Sequence, residues 1–143
     1  MCYTLHMEIV NIIKNWLYKR RLKRCGLSFP IQAKIHGVKG ADRQGALAQS
    51  RNGDNLQIVH VPLPDYPFNV YVYSITLNRV LGYLDSTLAE QLVYLFKKDF
   101  CRDAALETLI GGPPKYEYFG AYIRIYETAV LFTDDSLAHL HGE

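Results

Sequence analysis

Cysteine is scarce in this chain and poorly spaced. Cys2, Cys25 and Cys101 are odd in number and far apart. No C-x-x-C pair occurs, so neither a disulfide framework nor a zinc ribbon is expected. His139-Leu140-His141 has no third ligand close in sequence and reads as part of a polar tail, not a metal site. Long apolar runs are also missing, and none approaches the roughly 20 residues of a membrane span. The basic residues near the start follow the apolar stretch instead of preceding it, unlike a secretory signal. A cytoplasmic protein without metal or cofactor is the expectation. The chain has no G-x-x-x-x-G-K-[ST] phosphate loop, no G-x-S-x-G elbow and no H-E-x-x-H helix. Gly111-Gly112 lacks the lysine and following helix of a nucleotide site. Cys101 beside Arg102 has a route to a lowered pKa, but reads better as a small residue at a helix end. No active site is expected, and the protein reads as non-enzymatic.

The chain has 143 residues, 49% hydrophobic and 21% charged, which suits one globular domain with one core. Its net charge of +2 is unevenly distributed. Residues 1–54 hold ten Lys/Arg against three Asp/Glu, whereas residues 55–143 hold six against eleven. An oriented field results, with a basic half suited to a polyanion. Aromatics are plentiful, with eleven tyrosines and six phenylalanines. Tyrosine offers a flat face for stacking and a hydroxyl for a phosphate or sugar, although most of the eleven must fill the core.

Periodicity divides the chain into elements. From Met7 to Arg24, Ile9, Ile12, Ile13, Trp16 and Leu17 share one helical face. The segment ends on Lys19-Arg20-Arg21-Leu22-Lys23-Arg24, with Gly26 as a stop. Five cations in six positions exceed what the helix dipole asks for. Three readings stay open: a solvated helix end, a phosphate-binding arm and an anionic membrane anchor. Phe29, Ile31, Ala33 and Ile35 alternate with polar neighbours as a half-buried strand. Residues 43–50 suit a short helix. Leu56 to Val61 and Asn69 to Leu77 read as strands, the second with Val70 and Val72 on the core face and Tyr71, Tyr73 and Ile75 on the other. Asn78-Arg79 is a tight connection to a strand over Val80–Leu84. Thr87-Leu88-Ala89-Glu90 is a capping box, reinforced by Asp85 and Ser86, and Leu88, Leu92, Leu95 and Phe96 form the apolar stripe of its helix. Ala104 to Ile110 and Tyr118 to Tyr126 complete the strands, with Glu107 disturbing the first of them.

The predicted fold is mainly β with α: a small OB-like barrel of five or six strands, a helix between the fourth and fifth strands, and an N-terminal amphipathic helix. Closure would remove the exposed edges of so small a sheet. The predicted boundaries are a basic helix at 1–27, a barrel at 28–127 and a polar tail at 128–143.

One succession of landmarks is specific. Ile35-His36-Gly37-Val38 closes a strand, and Arg43-Gln44 opens a short helix. Gly53-Asp54 precedes Leu56-Gln57-Ile58-Val59. Asp65-Tyr66-Pro67-Phe68-Asn69 precedes Val70-Tyr71-Val72-Tyr73, and Leu81-Gly82-Tyr83-Leu84 leads into Ser86-Thr87-Leu88-Ala89-Glu90. This order over residues 28–127 resembles the HIRAN domain family. The resemblance implies an OB-like barrel that handles DNA in repair or remodelling. In family members that capture DNA ends, the pocket combines a basic-aromatic-aromatic run with an Asn-Pro-Tyr-Asp turn and a later asparagine. Here Lys39 holds the basic position, while Gly40 and Ala41 stand in place of the aromatics. Tyr66 and Asn69 match the turn, with Pro64 and Pro67 in the asparagine and aspartate positions. Each missing aromatic removes stacking of roughly 1–3 kcal/mol per base.

The expected ligand is single-stranded DNA or a DNA 3′ end. The expected phosphate contacts are Lys39, Arg43, Lys19, Arg20, Arg21, Lys23 and Arg24, with Tyr66 stacking and Asn69 holding the turn. The alternatives are a protein-interaction module that has kept the barrel and lost the pocket, and a membrane-surface adaptor. Nucleic acid is preferred to membrane as the partner.

Overall fold

The structure, a computed structural model, describes the backbone of residues 2–129 and the side chains of residues 8–128. The chain runs α1 (Cys2–Cys25), β1 (Ile31–Lys34), α2 (Ala41–Gln49), β2 (Asn55–His60), β3 (Val70–Ser74), β4 (Arg79–Tyr83), α3 (Ser86–Phe96), β5 (Cys101–Gly111) and β6 (Phe119–Ala129). All strands pair antiparallel in one six-stranded sheet, in the order β1-β6-β5-β2-β3-β4. The edge strands β1 and β4 are not joined along a ladder; His36, two residues past the end of β1, makes one bridge to Tyr83 of β4. The His36 amide donates to the Tyr83 carbonyl (2.8 Å), and the Tyr83 amide donates back (3.0 Å). Glycine permits this approach. A Cβ at Gly82 would strike the His36 carbonyl, and one at Gly37, whose φ is +66°, would strike the Tyr83 ring.

Alternation sets the core. Ala121, Ile123 and Ile125 of β6 are buried, while Tyr122, Arg124 and Tyr126 between them face solvent. The central strand β2 is buried on both faces over Leu56–His60. Across the core, Ala46 and Leu47 of α2 and Ala89 and Leu92 of α3 join Ile58, Val72, Leu81 and Leu106. Burying each of the valine, leucine and isoleucine side chains among them is worth roughly 1.5–3 kcal/mol.

Several boundaries differ from the sequence reading, for local reasons. The third strand stops at Ser74, because Ile75–Asn78 form a four-residue turn in which Asn78 takes φ 55° and Arg79 already belongs to β4. The two-residue Asn78-Arg79 connection is therefore replaced. The start of α3 is capped by Asp85, whose carboxylate accepts from the amides of Thr87 (3.2 Å) and Leu88 (3.4 Å). It supersedes the capping box at Thr87, because a residue just outside the first turn is placed to reach those amides. The helix predicted over 43–50 begins at Ala41. Glu107 disturbs the alternation of β5 because the register slips there, between Leu106 and Thr108. Its carboxylate turns out to accept from Gln32 Nε2 (2.9 Å) and Arg124 Nη2 (2.7 Å), linking β1, β6 and β5. Residues 128 and 129, assigned to the tail, lie within β6, and the rest of the tail with His139 and His141 is outside the described residues.

Cys101 opens β5 and does not end a helix. Burial, with Asp103 nearby, pushes its thiol up to about 12, against the lowering its Arg102 neighbour suggested. The thiolate fraction at neutral pH is then negligible. Iodoacetamide at pH 8 should leave Cys101 unmodified in the native protein and label it on unfolding, as peptide mass mapping would show. Labelling at the rate of a free thiol would contradict this burial.

The helix α1 is not a separate piece. Its C-terminal half docks on the end of α3. Arg21 Nε donates to the Leu95 carbonyl (3.1 Å), the Cys25 thiol approaches the Gln91 carbonyl (3.9 Å), and Tyr18 stacks on Phe96 with centroids 6.1 Å apart. The Tyr18 hydroxyl donates to Glu127 (2.8 Å). Burial and that carboxylate raise its pKa, so the phenol stays neutral. Among the described residues no helix is long and apolar enough to cross a membrane.

Candidate nucleic-acid interface

The segment between β2 and β3 is a tightly tied turn. The Val61 amide donates to the Asn69 carbonyl (3.0 Å), and Asn69 Nδ2 donates to the Val61 carbonyl (3.1 Å). Leu63 and Tyr66 exchange amide-to-carbonyl bonds of 3.1 Å in both directions. Beneath them lies His60, which is buried and stacked on Phe100. Its Nδ1 accepts from the Asp99 amide (3.0 Å), so Nε2 carries the proton and donates to the Pro67 carbonyl (2.9 Å). His60→Ala removes both bonds and should loosen the turn, which amide exchange at residues 63–69 would register as lost protection. Unchanged exchange would mean the prolines hold the turn alone.

This scaffold lifts Tyr66 out. Its side chain is 68% exposed, so it does not pack between Pro64 and Pro67. It stands at a cavity of about 400 Å³. Phe68, Tyr71 and Tyr83 supply further aromatic wall. Tyr71 and Tyr83 are directly paired across β3 and β4, which places them on the same face of the sheet. Arg43 reaches the cavity from α2. Its Nη1 donates to the Gly37 carbonyl (2.7 Å), and its guanidinium lies 5.8 Å from the Tyr83 ring centre. The remaining N–H groups are donors for an anion. Asp65 and Glu90 also line the cavity, as does Ser86 in the first turn of α3. On its other side Arg43 borders a more open recess shared with Arg79 and Asp42.

The residues predicted for the site do not all converge. Arg43, Tyr66 and Asn69 come together at the cavity. Asn69 lines the wall while its amide holds the turn. Lys39 does not join them: its ammonium lies 5.4 Å over the ring of Tyr118. The arm at Lys19–Arg24 is elsewhere again, beside the C-terminal end of α3, whereas the cavity uses the other end, at Ser86 and Glu90. Within the arm, Arg21 is a docking residue held by Leu95. Lys19, Lys23 and Arg24 are exposed, and Arg20 lies 5.5 Å from the Trp16 ring.

Sequence reasoning passed over Phe68, Tyr83, Asp65, Glu90 and Arg79. The signal for Tyr83 was hairpin register: a four-residue turn over 75–78 sets Tyr83 against Tyr71. Glu90 follows from where α3 begins and Asp65 from the turn that carries Tyr66, and neither has a local pattern of its own. Together, four aromatic rings, one guanidinium and two carboxylates suit a ligand with a flat face, a negative group and hydroxyl donors. Among the described residues no cluster of His, Cys, Asp or Glu is arranged to hold a metal. No protein-family model, curated protein or solved structure matches this chain.

Proposed function

We propose that this protein is a non-enzymatic module that binds single-stranded DNA, preferentially at an end, in the manner its resemblance to HIRAN domains implies. The observation that supports this best is Tyr66, raised on a rigid turn beside an aromatic cavity that also holds Arg43. In this reading the terminal base stacks on Tyr66 and Phe68, and Arg43 takes the adjacent phosphate with Arg79 near it. Asp65 or Glu90 accepts from the terminal 3′ hydroxyl, in place of the family aspartate that Pro67 displaces. Lys39 and the arm lie outside the cavity and add long-range attraction. The OB-like barrel belongs to the same reading. The His36–Tyr83 bridge supports it by drawing the sheet edges together. A cytoplasmic setting, with access to DNA, belongs to it too.

The protein-interaction alternative draws on a different observation. Lys39 is engaged with Tyr118, and Gly40 and Ala41 offer no rings to the cavity. Fluorescence titration separates the two. A labelled single strand with a 3′ hydroxyl should bind more tightly than the same strand ending in a 3′ phosphate, since Asp65 and Glu90 repel the added charge. It should also outcompete blunt duplex. Affinity should fall with salt by close to one power of concentration per phosphate contact. Equal affinity for all three DNAs would remove end recognition, and no binding at low salt would leave the protein partner as the better reading.

A further inference from the structure

Over residues 9–17 the apolar side of α1 is uncovered. Ile9, Ile12, Ile13, Trp16 and Leu17 are exposed by 48%, 69%, 51%, 58% and 40%. Five large apolar side chains in one stripe are unusual on a protein surface and mark a contact. At 3.6 residues per turn, Ile9, Ile12, Ile13 and Trp16 fall within an arc of about 100°, and Leu17 flanks it. The residues that dock α1 on α3, Tyr18, Arg21 and Cys25, point about half a turn away. The stripe therefore faces outward when the helix is docked. Glu8, Asn11, Lys14 and Asn15 form its polar back. Toward the C-terminus the same meridian continues as Arg20, Lys23 and Arg24. Those cations make no ion pair among the described residues, whose one salt bridge joins Arg124 to Glu107.

We propose that this stripe docks on the surface of an anionic phospholipid bilayer. Ile9, Ile12, Ile13 and Trp16 enter the boundary between headgroups and acyl chains, and Arg20, Lys23 and Arg24 meet lipid phosphates where the helix rises out. Apolar contact and attraction to anionic headgroups then act in sequence along one line, and both contribute to binding at a bilayer surface. Trp16 sits at the join, where an indole prefers to lie, with Arg20 against its ring. A second copy of the chain fits less well. Extending the seam by heptads from Ile9 and Trp16 reaches Lys23, and from Ile12 and Ile13 it reaches Lys19 and Arg20. A parallel pair would set like charges face to face, and an antiparallel pair would set them against isoleucines. A nucleic-acid backbone satisfies the cations but offers nothing to five apolar side chains. Docking of this kind is independent of the DNA cavity, which lies at the opposite end of α3.

Trp16 is the single tryptophan of the chain and reports on the stripe directly. The full-length protein is titrated with vesicles of phosphatidylcholine alone, with vesicles containing phosphatidylglycerol, and with a single-stranded oligonucleotide. The expected result is a blue shift and protection from acrylamide on the anionic vesicles, with neither on the neutral ones. Ile12→Gln with Ile13→Gln should lower partition about tenfold or more. Arg20→Gln, Lys23→Gln and Arg24→Gln should each lower it about fivefold. These side chains are exposed, so circular dichroism should stay unchanged, and the Ile12→Gln protein should keep its affinity for the oligonucleotide. Three results overturn the proposal: no shift on anionic vesicles, a shift that grows with protein concentration in the absence of lipid, or an equal shift on the oligonucleotide. Partition unaffected by the isoleucine changes would do so as well.

Discussion

Leu92→Ala should lower the unfolding free energy by about 2–5 kcal/mol. Leu92 is fully buried, one turn from Ala89 on the core face of α3. Truncation removes its transfer energy and leaves a cavity that the sheet beneath cannot close, because the neighbouring strands are fixed by their ladders. The loss should appear in urea as a lower midpoint at nearly constant slope. Ile12→Ala, on the exposed stripe, is the contrast and should stay within about 0.5 kcal/mol. The pair tests the division of apolar residues between core and contact surface. A loss below about 1 kcal/mol at Leu92 would mean that α3 packs loosely, and the cavity wall it contributes would be loose with it.

Tyr66→Ala should weaken binding of a single strand by roughly 1–3 kcal/mol while sparing the fold. The turn beneath is held by backbone bonds at Leu63, by Asn69 and by His60, and none of them uses the Tyr66 ring. The melting temperature should therefore stay close to that of the parent. Tyr66→Phe keeps the stacking face and should retain most of the affinity, since an exposed hydroxyl adds little. Affinity unchanged in the alanine variant would take the cavity out of nucleic-acid recognition and favour the interaction module. A fall in melting temperature as large as that of Leu92→Ala would show that the ring packs the turn after all.

The legible parts of the site were those with local causes. Tyr66 and Asn69 were singled out by the resemblance of their turn to the pocket of HIRAN domains, and Arg43 because it opens a short helix close after Gly37. Lys39 stands outside the cavity, and its long stem lays the ammonium over the ring of Tyr118, almost eighty positions away in the chain. The arm combined two roles that the sequence merged. Arg21 is turned inward to the Leu95 carbonyl, whereas Arg20, Lys23 and Arg24 face out.

By itself the sequence determined the element types and much of the core. Period-two alternation over residues 29–35 and helical spacing in α3 leave one way to hide the apolar side chains, so Ile35 and Leu92 were assignable without coordinates. It also located the apolar stripe of α1, because that stripe is a property of one helix. Tertiary structure alone decided which apolar faces are covered. Docking of Tyr18 on Phe96 uses the opposite side of α1 and leaves Ile12 and Trp16 in solvent. It alone decided, too, that Glu90 and Tyr83 share a cavity with Tyr66. These are meetings between distant segments, fixed by strand register, by the close approach that Gly37 and Gly82 allow, and by where Asp85 starts a helix. Such meetings depend on the sum of packing over the whole sheet, which no local pattern of residues encodes.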